Sequence, residues 1–187
     1  VIKAADTLNN TSENTVAINY ATGNTWPETY SLDWASVSNI QDAVQIVDGL
    51  WSQEADSIRT LQIDYDRVIA IGDMIWDDYE ITVPITIHGI DPGGFNWPSV
   101  GPGLGVILRW QGHYDLDGSQ PTWGYDEIGG GPWYEFFSDG SGELTLNGVP
   151  DPEARELEYG VSYVWKMRVE TILGTTSQYS FKFWEYG

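Results

Sequence analysis

Three groups of side chains in this chain have types and spacings that could do chemistry. In the first, Asp115-Leu116-Asp117-Gly118-Ser119 sets two carboxylates two residues apart ahead of a glycine. Hard oxygen ligands that must converge on one Ca2+ ion begin in this way. The Glu that an EF-hand needs further on is missing at that spacing, so the expectation is a Ca2+ site of another kind, with Asp115 and Asp117 as ligands. The same residues also suit an ordinary turn. His113, beside this loop, is a candidate sugar contact or a plain surface histidine.

The second group is the stretch 109–137, with eight aromatic residues among 29. From residue 110 to 154 there is no Lys or Arg, while nine carboxylates occur. Flat rings interleaved with acids and amides suit neutral sugars, whose C–H faces stack while their hydroxyls take hydrogen bonds. Gln120, Trp123 and Tyr125 are the expected contacts, with Trp97 on the Gly/Pro-rich loop 91–103 as a lip. Trp110 and Phe136 are expected in the core instead.

The third group depends on the elements that must position it. Runs rich in Val, Ile, Thr, Tyr, Phe and Trp, cut by Gly, Pro, Asn and Asp, describe an antiparallel all-β chain. Period-2 alternation places Tyr79, Ile81, Val83, Ile85 and Ile87 on one face of 76–90. It does the same for Val161, Tyr163, Trp165, Met167 and Val169 in 159–173, and for Tyr179, Phe181 and Phe183 in 175–187. Residues 103–111 alternate Leu104, Val106, Leu108 and Trp110 with Arg109 and Gln111. If these four strands are neighbours, Glu80, His88, Arg109, Gln111, Lys166, Arg168, Glu170, Lys182 and Trp184 share one polar face. Four of the chain's eight cations would then stand together, with Trp184 to stack on a pyranose and charged groups to fork to hydroxyls or carboxylates. The plain alternative is a wet sheet face whose charges pair across strands. Pro84, on the polar parity, marks an edge strand or a bulge. Strands of this length favour a two-sheet β-sandwich over a small barrel. Only 38–48 and 151–158 have room for a helical turn or two. Residues 1–14 read as a loosely held leader, and 15–187 as a single sandwich domain.

Composition excludes several function classes. The 187 residues hold 28 Asp+Glu against 8 Lys+Arg, a net charge of −20, which excludes nucleic acid as a partner and disfavours an anionic membrane surface. No apolar run approaches the roughly 18 residues of a membrane span, so membrane insertion is not expected. With no Cys there is no disulfide, thiol nucleophile or Cys-ligated metal, and two His cannot build a multi-histidine site. A bound divalent cation would relieve the self-repulsion, and calcium outside cells would serve. GPGLG (101–105) and IGGGP (128–132) lack a following helix or Lys and are loop glycines. The Asn-x-Ser/Thr sequons at Asn9 and Asn10 matter only in a glycosylating host.

The order VDGLWSQ (47–53), YDRVIAIGD (65–73), WDDYEITVPITIH (76–88), GLGVILRWQGH (103–113) and the closing pair YVWKMRVE and YSFKFWEYG resembles the concanavalin A-like lectin/glucanase superfamily, the laminin-G-like bacterial modules above all. The resemblance spans about residues 30–187. It implies a jelly roll of two sheets, often with a structural calcium, and with sugar bound on the concave face or at loop edges. The alternating acids of that superfamily's glucanases (Glu-x-Asp-x-x-Glu) are missing: Asp78 and Glu80 are followed by Thr82 and Pro84. Its lyases are faintly echoed by Thr86-Ile87-His88 and Tyr179-Ser180-Phe181-Lys182, without the accompanying Arg-x-Glu-x-Arg strand. The leading expectation is a secreted, non-catalytic polysaccharide-binding module, attached to other domains of a larger enzyme or adhesin. The opening at Val1, without initiator Met or signal peptide, suits a mature or excised piece. A lyase acting on uronic-acid polymers through His88, Tyr179 and Arg109 is one alternative. A structural or protein-interaction domain of a calcium-dependent adhesin is the other.

Overall fold

The computed structural model describes residues 2–5, 11–14, 29–62, 67–73, 75–95, 101–114, 126–127 and 129–187. In chain order the strands are β1 (Ile2–Ala5), β2 (Thr11–Asn14), β3 (Gln45–Asp48), β4 (Trp51–Gln53), β5 (Ile58–Thr60), β6 (Val68–Ala70), β7 (Tyr79–Thr86), β8 (Gly103–Gly105), β9 (His113–Tyr114), β10 (Asp126–Glu127), β11 (Pro132–Phe136), β12 (Gly142–Leu146), β13 (Val149–Pro150), β14 (Ser162–Ile172) and β15 (Thr176–Glu185). Helix among the described residues is confined to three-residue 3-10 turns. In each, an Asp or Asn side chain (Asp33, Asn39, Asp91) accepts an orphan backbone N–H of the first turn. The fold is all-β and every ladder is antiparallel.

Two sheets share the main core. One has the order β15-β14-β7 and the other β13-β12-β11-β8. From the first, Tyr163, Trp165, Met167 and Val169 point inward. From the second come Tyr134, Phe136 and Leu144. This is a sandwich-like arrangement, and the alternation of β14 produces it: Trp165, Met167 and Val169 are fully buried, while Arg168 between them is exposed. Burying a side chain such as Met167 or Val169 contributes about 1.5–3 kcal/mol. Trp165 meets the Phe181 ring edge-on at 5.1 Å. A second, smaller cluster gathers Ile40, Ala43 and Val44 with Trp34, Trp51, Ile58 and Ile69, beside the ladders β3–β6 and β4–β5.

Several expectations are corrected. The ordered strands are shorter than the runs 76–90, 159–173 and 175–187: β7 begins at Tyr79, and β14 and β15 meet at a turn where Leu173 and Gly174 take positive φ. Run 103–111 is a strand only over Gly103–Gly105. It then follows β11 irregularly through Val106 N–H to the Pro132 carbonyl and a Leu108–Gly130 bridge, and stops at Arg109, whose φ is +54°. It therefore belongs to the four-stranded sheet, and the polar face expected from four strands is built from three. The stretch 38–48 does make one helical turn, a 3-10 turn at Ile40–Asp42, whereas 151–158 makes non-helical turns. Within the stretch read as a loosely held leader, the described residues 2–5 and 11–14 pair from Ile2↔Asn14 to Ala5↔Thr11, which leaves the division into leader and domain as it was. A polar composition does not prevent a ladder that uses backbone groups alone. Pro84 does lie on an edge strand, since β7 pairs only with β14 among the described residues.

Candidate functional site

The outward face of β7, β14 and β15 is ordered by its register. Three rows cross it: Glu80–Arg168–Ser180, Thr82–Lys166–Lys182 and Pro84–Val164–Trp184. The last row is an apolar shelf. Val164, between Pro84 and Trp184, is buried although its parity is outward, and Trp184 remains 40% exposed. In the middle row Lys166 and Lys182 are cross-strand partners, and their ammonium groups turn to different neighbours. Lys166 Nζ bonds Glu80 Oε1 at 2.7 Å, and Arg168 pairs with Glu170 on the same strand. Lys182 has no carboxylate partner among the described residues. Its Nζ lies 5.4 Å from the centroid of the Trp184 ring. In a chain of net charge −20, this face carries a slight excess of positive charge over Glu80 and Glu170.

Glu80, Lys166, Arg168, Lys182 and Trp184 are thus brought together, and Arg109 and His88 are not. Arg109 closes one end of the sandwich. Its guanidinium reaches the Asp77 carbonyl and carboxylate, Asp78 Oδ1 at 2.9 Å, Thr171 Oγ1 at 2.7 Å and Ser177 Oγ at 2.7 Å, and its backbone N–H donates to Tyr79 Oη. The Asp78 carboxyl is held below its ordinary range by hydrogen bonds from Thr171 first, and by the Arg109 charge after desolvation is offset. His88 is exposed beyond the opposite end of β7, where Gly160 N–H bonds the Ile87 carbonyl. Tyr179 faces the core, opposite Val169 at the Arg109 end of the sheet. The length of β7 alone, more than about 20 Å, separates that end from His88. His88, Tyr179 and Arg109 therefore do not converge on one substrate atom. Gln111 is exposed beyond the sheet.

Trp97, Gln120, Trp123, Tyr125 and the proposed calcium ligands Asp115 and Asp117 lie outside the described residues. His113 is placed only through its backbone, in β9 opposite Glu127. Among the described residues no three His, Asp or Glu side chains gather as a metal site. Phe136 is buried as expected, and Trp110 is half-buried with an enclosed indole N–H.

Trp133 lies in the aromatic stretch but is not among the contacts expected from it. It sits on the outer face of β11, opposite Gly105 and diagonal to Gly103. A Cβ on Gly103 would stand 2.6 Å from Trp133 Cζ2, and one on Gly105 would stand 2.5 Å from Cε3. The atoms named are at the two sides of the indole, so the ring lies flat over both glycines. It is still 44% exposed. Beside it opens a cleft of about 280 Å3, bordered by Thr145, Asn147 and Gly129–Gly131. The signal was present as Gly-x-Gly in 103–105 and as Asn147-Gly148, a pair that favours two-residue hairpins with φ positive at both positions. Compared with protein-family models, with curated proteins and with solved structures, the chain gives no match.

Proposed function

We propose that this chain is a non-catalytic carbohydrate-binding module, that the outer face of β7–β14–β15 is its binding surface, and that its preferred ligand is a carboxylated polysaccharide. One observation carries the reading: the exposed Trp184 ring stands beside Lys182, which has no carboxylate partner among the described residues, with Lys166 as its cross-strand neighbour, in a chain otherwise strongly anionic. A pyranose stacks its C–H face on an indole, and a uronate carboxylate held against that ring meets the ammonium group next to it. Affinity per site is modest, and repetition within a longer extracellular protein raises it. The concanavalin A-like jelly roll belongs to the same proposal. Two antiparallel sheets on one core support it.

The test is affinity electrophoresis through gels containing alginate or polygalacturonate. Retardation of the wild-type chain is expected, falling at least about tenfold in affinity, or about 1.4 kcal/mol, for Trp184→Ala and for Lys166→Glu with Lys182→Glu. Circular dichroism should be unchanged in these variants. If no carboxylated polysaccharide retards the protein, or the variants bind as the wild type does, the proposal fails. Glu80 and Glu170 then describe a solvated supporting face, as in a structural or protein-interaction domain of an adhesin.

A further inference from the structure

The opposite face of the sandwich offers a site of different chemistry. The outward positions of β8, β11 and β12 are Gly103, Gly105, Trp133, Glu135, Glu143 and Thr145, with no cation among them. Covering edge glycines with an aromatic ring stabilises a sheet and accounts for one face of the indole. It does not account for the cleft alongside. There Asn147 Oδ1 accepts Gly131 N–H at 2.7 Å, which fixes the amide orientation and leaves Nδ2 without a partner among the described residues. Thr145 adds a hydroxyl on the same border. Its volume of about 280 Å3 is near the lower end of small-ligand sites.

We propose that Trp133, with Asn147 and Thr145, forms a second saccharide site that takes one neutral pyranose unit. The ring stacks on the indole, and Asn147 Nδ2 and Thr145 Oγ1 bond its hydroxyls. Glu135 and Glu143, paired across β11 and β12 one step along the same face, exclude a carboxylated sugar. The site stands independently of the Lys166–Lys182 face.

Affinity electrophoresis in hydroxyethylcellulose and in galactomannan tests it, two soluble neutral polysaccharides. The wild-type chain should be retarded by at least one. Trp133→Ala should weaken that retardation at least tenfold and Trp133→Phe less. Trp133→Ala also uncovers two glycines, so Asn147→Asp supplies a second test: it tolerates the left-handed backbone and keeps the acceptor for Gly131 N–H, but loses the donor. A loss of at least threefold is expected with the melting midpoint unchanged. Lys166→Glu with Lys182→Glu should leave neutral-glycan binding as it was. Retention of wild-type affinity in either Trp133→Ala or Asn147→Asp, or no retardation by either neutral polymer, overturns the site and leaves the carboxylate-binding face to be judged by its own assay.

Discussion

Asp151 shows how much of this fold rests on single polar groups. Its carboxylate takes a two-pronged bond from Arg155, at 2.8 Å to Nε and 3.0 Å to Nη2, and also accepts the backbone N–H groups of Glu153 and Arg155. Arg155 in turn lies over the Phe183 ring, 4.6 Å from its centroid, and so fastens the 151–158 connection to β15. The Arg155 hydrogen bond, foremost, lowers the Asp151 pKa from an ordinary 3.8 to about 2. A depressed carboxyl stabilises the folded chain at pH values above its unfolded pKa, and that contribution disappears as pH falls through the folded one. The melting midpoint should therefore drop between about pH 3.8 and about pH 2. Asp151→Asn should melt lower at neutral pH and show a flatter pH dependence in that window, read by thermal circular dichroism. Equal slopes in the two proteins would remove Asp151 from acid stability. Neighbouring residues do not reveal this clamp: Asp151 and Arg155 are four apart, but no helix makes that spacing a contact.

Among the elements, the alternating faces of β7, β14 and β15 agree with the period read from the chain, and the partner of residues 103–111 does not. Alternation tells which side chains share a face of one strand. It says nothing about which strand lies alongside. Arg109 shows the consequence. Its parity along 103–111 placed it on the polar face, but positive φ turns the backbone there, and its guanidinium instead joins the approach to β7 with the ends of β14 and β15. The Arg109 side chain is only 16% exposed, while its partners Asp77 and Asp78 are 75% and 56% exposed, so the clasp is open to water on its carboxylate side. Arg109→Met, at a cost of about 1 kcal/mol, should lower the melting midpoint by about 2–4 °C. Arg109→Lys should recover less than half of the loss, since an ammonium cannot reproduce the guanidinium fork. A midpoint within about 1 °C of wild type for Arg109→Met would show that the clasp carries no stability.

Across the whole molecule, a charge of −20 and a local cationic face respond to salt in opposite directions. Raising NaCl from about 0.02 to about 0.5 M screens the self-repulsion and should raise the melting midpoint. Over the same range, retention by alginate should weaken, because that contact depends on Lys166 and Lys182, while retention by neutral glycans at Trp133 should hardly change. A midpoint that falls, or alginate binding that strengthens, would contradict this account of the charge distribution.

Composition and short-range alternation were enough to establish an all-β chain, the inward rings of the long strands, and the outward set Glu80, Lys166, Arg168, Lys182 and Trp184, because each follows from residue type and period. The pairing of 103–105 with β11, the separation of His88 from Arg109 and the resting place of Trp133 came from the folded arrangement. Each depends on which distant strand supplies the neighbouring surface, and on glycines whose missing Cβ atoms make room only once that neighbour is in place.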